Sequence, residues 1–307
     1  MTFALVFEQL LNGLQFGVML FLMAAGLTLV FGIMNLVNLA HGSLYMVGAY
    51  LAITAAQWTG SYVAGALLGF LATLLVGMLV EVVALRPLYQ RDHLDQVLAT
   101  FGLILFFNEL VAILWGRTAL FTSLPSWLQG HIDLFSGSRY PVYRALVIAV
   151  GLGVGAALWY VVARTRLGML VRAGASNRTM TAALGVNIRL LYTVVFGFGA
   201  ALAGLAGLMA GPIYTVQPGM GEEVLIQVFV VIVIGGIGSI RGAFVGALIV
   251  GMADTLGRAF LKPLLATTFS PVTAQAVGPA LASMLIYLVM AAVLAVRPQG
   301  LFSPRGG

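Results

Sequence analysis

The chain has 307 residues, of which 61% are hydrophobic and only 8% charged, with a formal net charge of +6. A water-soluble domain carries about 25% charged residues, so lipid rather than water is the main solvent here, and the whole of 1–307 reads as one membrane-embedded unit. The absence of cysteine excludes disulfides, thiolate metal sites and thiol catalysis. The basic balance fits the Lys and Arg excess of cytoplasmic loops rather than nucleic-acid binding.

A span needs about 20 mostly apolar residues, and the chain offers about nine such segments in an all-α, polytopic arrangement. They run over 9–31, 36–58, 62–85, 97–116, 142–163, 190–211, 223–238, 243–261 and 276–296. No basic region precedes the first, where Glu8 stands instead, so it reads as a retained span and not a cleaved signal. Segments 36–58 and 223–238 are interrupted by glycine and are not expected to cross as straight rods. A long Ser-, Pro-, Trp- and Gly-rich loop covers 117–141.

The polar stretch RTRLGMLVRAGASNRTMTAALGVNIR, 164–189, holds five of the fifteen basic residues and no acid. Placing it in the cytoplasm, as a loop over 164–190, puts ten basic residues on the inner side and five on the other, in line with the positive-inside rule. The N-terminus is then outside and the C-terminus inside. Within the stretch, Ser176 or Asn177 is a helix cap and Gly185 a helix stop. The short helix between them carries Met180 and Leu184 on one face, a shape another protein can grip. An ordinary basic loop is the alternative.

Helices in lipid associate through close backbone contact at small residues. Gly151 and Gly155, then Ala203, Gly207 and Gly211, then Gly242, Gly246 and Gly251, form such stripes. Gly235, Gly236 and Gly238 crowd three helix-breaking residues together, which reads either as broken backbone along a transport pathway or as an inter-helix turn.

Polar side chains inside apolar segments turn inward or toward water. Asn35, Asn38 and His41 recur every three residues, as one face of a helix would carry them, and line either a pathway or a helix–helix contact. Asn108 and Glu109 sit inside another span as a candidate site, because a carboxylate there costs about 2.5–3.5 kcal/mol on insertion scales. Glu81 with Arg86 and Asp254 with Arg258 read as local ion pairs, and Glu222 and Glu223 as acids at a helix start.

One lysine, Lys262, followed by proline, excludes the phosphate-cradling GxxxxGK[ST] loop. No HExxH or G-x-S-x-G constellation occurs. No catalytic or metal-ligating set is therefore assigned. What remains is a conduit, working alone as a channel or proton-coupled carrier with Glu109 and His41 handling protons, or driven by an ATPase on another chain.

Five strings in collinear order then bear on that choice: NLAHGSLYMVGAY (38–50) followed by Glu81, Arg86 and Pro87; ATFGLILFFNELVAILWG (99–116); the 164–187 stretch; IGGIGSIRGAFVGALIVG (234–251); and RPQGLF (297–302). Together they resemble the membrane permease of bacterial high-affinity branched-chain amino acid importers, which are ATP-binding-cassette systems. The resemblance implies a multi-pass inner-membrane permease bundle that is not itself an enzyme. It implies two cytosolic ATPases carrying ATP and magnesium, a second permease chain (sister or self) and a periplasmic binding protein, with no cofactor on this chain. It places Asn177, Arg178, Met180, Thr181, Leu184 and Gly185 in the ATPase groove. Relatives of this build also carry urea, short amides or aromatic acids.

Overall fold

The computed structural model describes residues 3–34, 36, 38–134 and 139–302. Its helices in chain order are α1 (Phe3–Met34), α2 (His41–Thr59), α3 (Tyr62–Val80), α4 (His93–Trp115), α5 (Val142–Arg164), α6 (Arg166–Ser176), α7 (Arg178–Ala183), α8 (Ile188–Ala210), α9 (Met220–Gly235), α10 (Ile240–Leu265) and α11 (Pro271–Val296). Most begin where the chain supplies a short polar side chain for the orphan N–H groups of the first turn. Ser61, Thr165, Asn177, Asn187, Ser239 and Ser270 each accept a backbone N–H three residues on. Between α4 and α5 the loop carries a small antiparallel hairpin, β1 (His131–Asp133) with β2 (Arg139–Pro141).

Among the described residues, seven helices are long and apolar enough to cross a membrane: α1, α3 with its continuation to Leu88, α4, α5, α8, α10 and α11. The two segments expected to be broken, α2 and α9, are not among them. The nine sequence segments thus match nine helices by position, seven of them of spanning quality. At 16 residues, about 24 Å, α9 falls short of the roughly 30 Å hydrocarbon core.

Two compact units divide the chain. The first comprises 1–21, 125–152 and 227–307. In it, Gly17 of α1 lies against Gly251 of α10, so close that a Cβ on Gly251 would come 2.5 Å from the Gly17 backbone. The α9–α10 hairpin closes through Gly235 and Gly242, whose backbones leave no room for a side chain on either. Phe21 and Phe244 pack edge to face at 5.1 Å.

The second unit comprises 22–124 and 153–226. Here α2 is wrapped by α3 and α8. Gly65 and Gly69 of α3 abut Ala56 and Ala52 of α2, and Gly77 abuts Ala200 of α8. Gly48 of α2 meets the Gly204 backbone, and Gly207 of α8 meets the carbonyl of Tyr45. These contacts supply what lipid cannot, because apolar surface alone gives helices no reason to associate in hydrocarbon.

A side chain at these crossings must push backbones apart. Gly207→Leu is expected to cost more than about 3 kcal/mol, the upper end of ordinary overpacking, and to abolish a monodisperse thermal transition in detergent. Gly153→Ala, where nothing stands within 4 Å, is expected to stay within about 0.5 kcal/mol of the parent.

Candidate functional site

Between α1 and α2 the described residues lie outside any helix. Leu36, Asn38 and Ala40 are buried, and Asn35 lies outside the described residues. Asn38 is not on a helix: it precedes α2, its Oδ1 accepts the N–H of Ala40 at 3.1 Å and its carbonyl accepts that of His41 at 3.3 Å. The expected three-residue stripe is therefore corrected. Asn38 and His41 share a turn at the α2 entrance, held together by an Asn side chain that competes well with helix hydrogen bonds.

His41 is fully buried, and its Nε2 donates to the carbonyl of Met23 in α1 at 3.1 Å. A carbonyl only accepts, so Nε2 carries the proton and Nδ1 presents a lone pair. Asn38 Nδ2 and His41 Nδ1 are buried without a hydrogen-bond partner among the described residues. Buried polar atoms left so are uncommon and call for an explanation. On the other side of this turn stands the start of α9: Gly42 and Gly221 press backbone to backbone, each excluding a Cβ on the other.

The remaining sequence candidates separate. Asn108 of α4 donates from Nδ2 to Oε1 of Glu222, in the first turn of α9, at 2.5 Å. Its neighbour Glu109 is exposed and pairs with exposed Arg117 at 2.8 Å. Gly235 ends α9, while Gly236 and Gly238 take positive φ (101° and 82°) in the turn before α10. The Gly236 backbone is covered by the carbonyls of Phe302 and Gln299. The structure places these three glycines in the inter-helix turn that sequence reading held as the alternative. Asp254 and Arg258 form the expected i,i+4 pair at 2.8 Å.

A cluster that sequence reading took only for a surface ion pair centres on Glu81, whose side chain is fully buried. Its carboxylate accepts from Arg86 Nη2 at 2.9 Å, the Tyr89 hydroxyl at 2.6 Å and the Thr193 hydroxyl at 2.7 Å. The chain reaches this geometry by winding Glu81–Leu85 as a π-helical turn, which brings Arg86 at i+5 onto the face of Glu81. Such turns gather at functional sites. Burial first, then the bond to Glu81, pushes the Tyr89 phenol above its ordinary range, so it stays a proton donor to the carboxylate. Thr193 contributes from the first turns of α8, and its neighbour Tyr192 donates to the carbonyl of Ile33 at 3.2 Å. The i+5 spacing was the available sequence signal; the Thr193 partner, 112 residues away, left none.

The basic stretch forms two helices, not one. α6 occupies Arg166–Ser176, and α7 the six residues Arg178–Ala183. Asn177 caps α7, its Oδ1 accepting the Met180 N–H at 2.9 Å. Thr181 is buried, and Gly185 closes the turn with φ +88°. Met180 and Leu184 are 61% and 79% exposed, an apolar pair that the rest of the chain leaves uncovered. Gly174 of α6 sits against Leu191 of α8 and Ile33 of α1. The knob is thus mounted beside the Glu81 cluster and the last turn of α1. No group of acidic or histidine side chains suited to a metal ion occurs among the described residues.

Removing a buried carboxylate strands three donors. Glu81→Ala is expected to cost about 2–3 kcal/mol, read as a lower melting temperature in detergent. Glu81→Gln, which keeps an acceptor, is expected to cost roughly half as much, and Thr193→Val about 1 kcal/mol.

Comparison with known proteins accords with this arrangement. The family model for the permease component of branched-chain amino acid transport systems matches residues 9–294. The chain is 32% identical to the LivH permease protein of the Escherichia coli high-affinity branched-chain amino acid transport system, over 95% of this chain and 96% of that protein. It is 33% identical to the BraD permease protein of Pseudomonas aeruginosa, over 81% and 85%. It is 28% identical to the ribose import permease protein RbsC of Escherichia coli, over 72% and 71%. No solved structure matches. By the reach of that match along its length, the chain belongs to the branched-chain amino acid transport permease family.

Proposed function

We propose that this permease forms one wall of an ATP-binding-cassette importer that carries branched-chain amino acids across the bacterial inner membrane. Hydrolysis is assigned to two cytosolic subunits that hold ATP and magnesium, and no catalytic step to this chain. A second permease chain, sister or self, completes the pathway, and a periplasmic binding protein delivers the solute. The names of relatives matched along 81–95% of this chain support the substrate. The observation that carries the coupling is the capped helix α7 with Met180 and Leu184 exposed beside it. A rigid apolar knob of this kind seats in a groove and moves with it. Alternating access follows when closure of the ATPases shifts α6–α7 and, through Gly174, Leu191 and Ile33, the ends of α8 and α1.

The stand-alone, proton-coupled reading loses support, since Glu109 is exposed and tied to Arg117 instead of facing a buried histidine. Urea, short amides and aromatic acids remain as competitors in the transport assay.

The assay is ATP-driven, binding-protein-dependent uptake of L-leucine in proteoliposomes holding the whole importer. Leu184→Asp puts a charge into the groove, and Gly185→Val forces a β-branched residue into a positive-φ position. Both are expected to cut uptake at least ten-fold while ATP hydrolysis continues. Unchanged uptake overturns the docking role. In this cysteine-free chain, a single cysteine at Met180 is expected to react only with reagents supplied from the cytoplasmic side, which also tests the inside location of the C-terminus.

A further inference from the structure

We infer that the paired entrances of α2 and α9 form a binding site for the zwitterionic head of an α-amino acid. Asn38 meets the carboxylate, and His41 with Glu222 meets the ammonium. This rests on the importer reading above and locates its solute.

Depth comes first. Gly26 of α1 touches Gly199, at the midpoint of α8. Met23, whose carbonyl holds the His41 ring, is one turn of α1 away from Gly26, about 4.5 Å. His41 therefore starts α2 near the middle of a span. It does so beside a residue eleven positions back from Met34, about 16 Å along α1. The described link residues Leu36, Asn38 and Ala40 are thus non-helical backbone buried in the interior. Such backbone persists at membrane depth only inside protein or along a cavity. In carriers with discontinuous helices, the positive ends of half-helices there face anionic groups of the substrate.

Two such ends meet here, because Gly42 and Gly221 are each the second residue of their helix and touch backbone to backbone. The independent mark of a ligand is the pair of fully buried, unpartnered polar atoms at the same place. The Asn38 amide is fixed at the α2 entrance by its Oδ1, so its Nδ2 donors lie there too. They suit a carboxylate, which accepts only. His41 Nδ1, the proton being on Nε2, suits a donor, and an ammonium supplies three. Glu222, next to Gly221, brings negative charge to the ammonium side and is steadied by Asn108. The buried Asn38 donors and the buried His41 acceptor, with Glu222 exposed one residue past Gly221, match a zwitterion better than an anion or a cation alone.

The test is equilibrium dialysis of the detergent-purified importer without its binding protein, at pH 8. The probes are L-leucine, leucinamide (no carboxylate) and 4-methylpentanoate (no ammonium). The parent is expected to retain L-leucine at least ten-fold better than either analogue. Asn38→Asp keeps the Oδ1 acceptor that shapes the turn and loses the donor. It is expected to lower L-leucine retention at least ten-fold and to raise the leucinamide-to-leucine ratio by at least that factor. Glu222→Gln is expected to raise the 4-methylpentanoate-to-leucine ratio. A parent that retains none of the probes overturns the site, as do ratios that stay within two-fold in both variants. If all three probes weaken in parallel in Asn38→Asp, the residue only holds the turn and the site is likewise overturned. Uptake by the complete, ATP-fuelled importer is scored separately: a parent that transports L-leucine yet fails the dialysis test refutes the site alone, and one that transports none refutes the importer reading.

Discussion

Backbone amides have no water to bond in hydrocarbon, and that constraint governs this molecule. A break in a helix at membrane depth stands only if protein surrounds it. At the α2 entrance the protein that covers the turn is α1, through the Met23 carbonyl, and α9, through Gly221; further along, α2, α3 and α8 approach to backbone contact because Gly48, Gly65, Gly69, Gly77, Gly204 and Gly207 carry no side chains. The same economy recurs where Gly42 meets Gly221, which brings two helix entrances together backbone to backbone.

Around that interior, polar groups are used sparingly and each has a job tied to its surroundings. Glu81 is fully buried yet saturated with donors, which is the way an interior carboxylate keeps its cost down. Its cluster ties the π-helical end of α3 to the first turns of α8, and α6 packs on Leu191 of that same stretch. Asn38 and His41 are the reverse case: fully buried with atoms unsatisfied. A saturated cluster resists movement, whereas an unsatisfied turn is primed for a partner. Under the proposed reading, that contrast gives stiffness to the coupling side and recognition to the interior.

Much of this was written locally in the chain. Composition set the solvent. The caps at Ser61, Asn177, Asn187 and Ser239 and the stops at Gly185 and Gly236 act within four residues, so helix starts and ends could be read directly. The Met180–Leu184 face and the Asp254–Arg258 pair follow from helical spacing alone. The two segments noted for their glycines, 36–58 and 223–238, fall outside the spanning set as α2 and α9, yet each is a continuous helix whose breaks lie at its ends. Local reading failed where one helix was expected in the 164–189 stretch. The Thr165 cap that starts α6 is as local a signal as Asn177, its hydroxyl accepting the N–H of Gly168.

The sequence by itself determined the membrane class, the approximate positions of nine helices, the family and the capped helix α7, because each rests on short-range chemistry or on collinear strings. Only the tertiary structure decided that Asn38 lies in a turn and not on a helix face, that Glu81 reaches Thr193, that Glu109 faces outward to Arg117, and that Gly42 abuts Gly221. The Glu81–Thr193 and Gly42–Gly221 contacts depend on which backbone comes to lie against which across more than a hundred residues of chain, and the other two on how the packed backbone turns locally. Such pairing is set by the sum of many glycine contacts, and no single residue announces its partner.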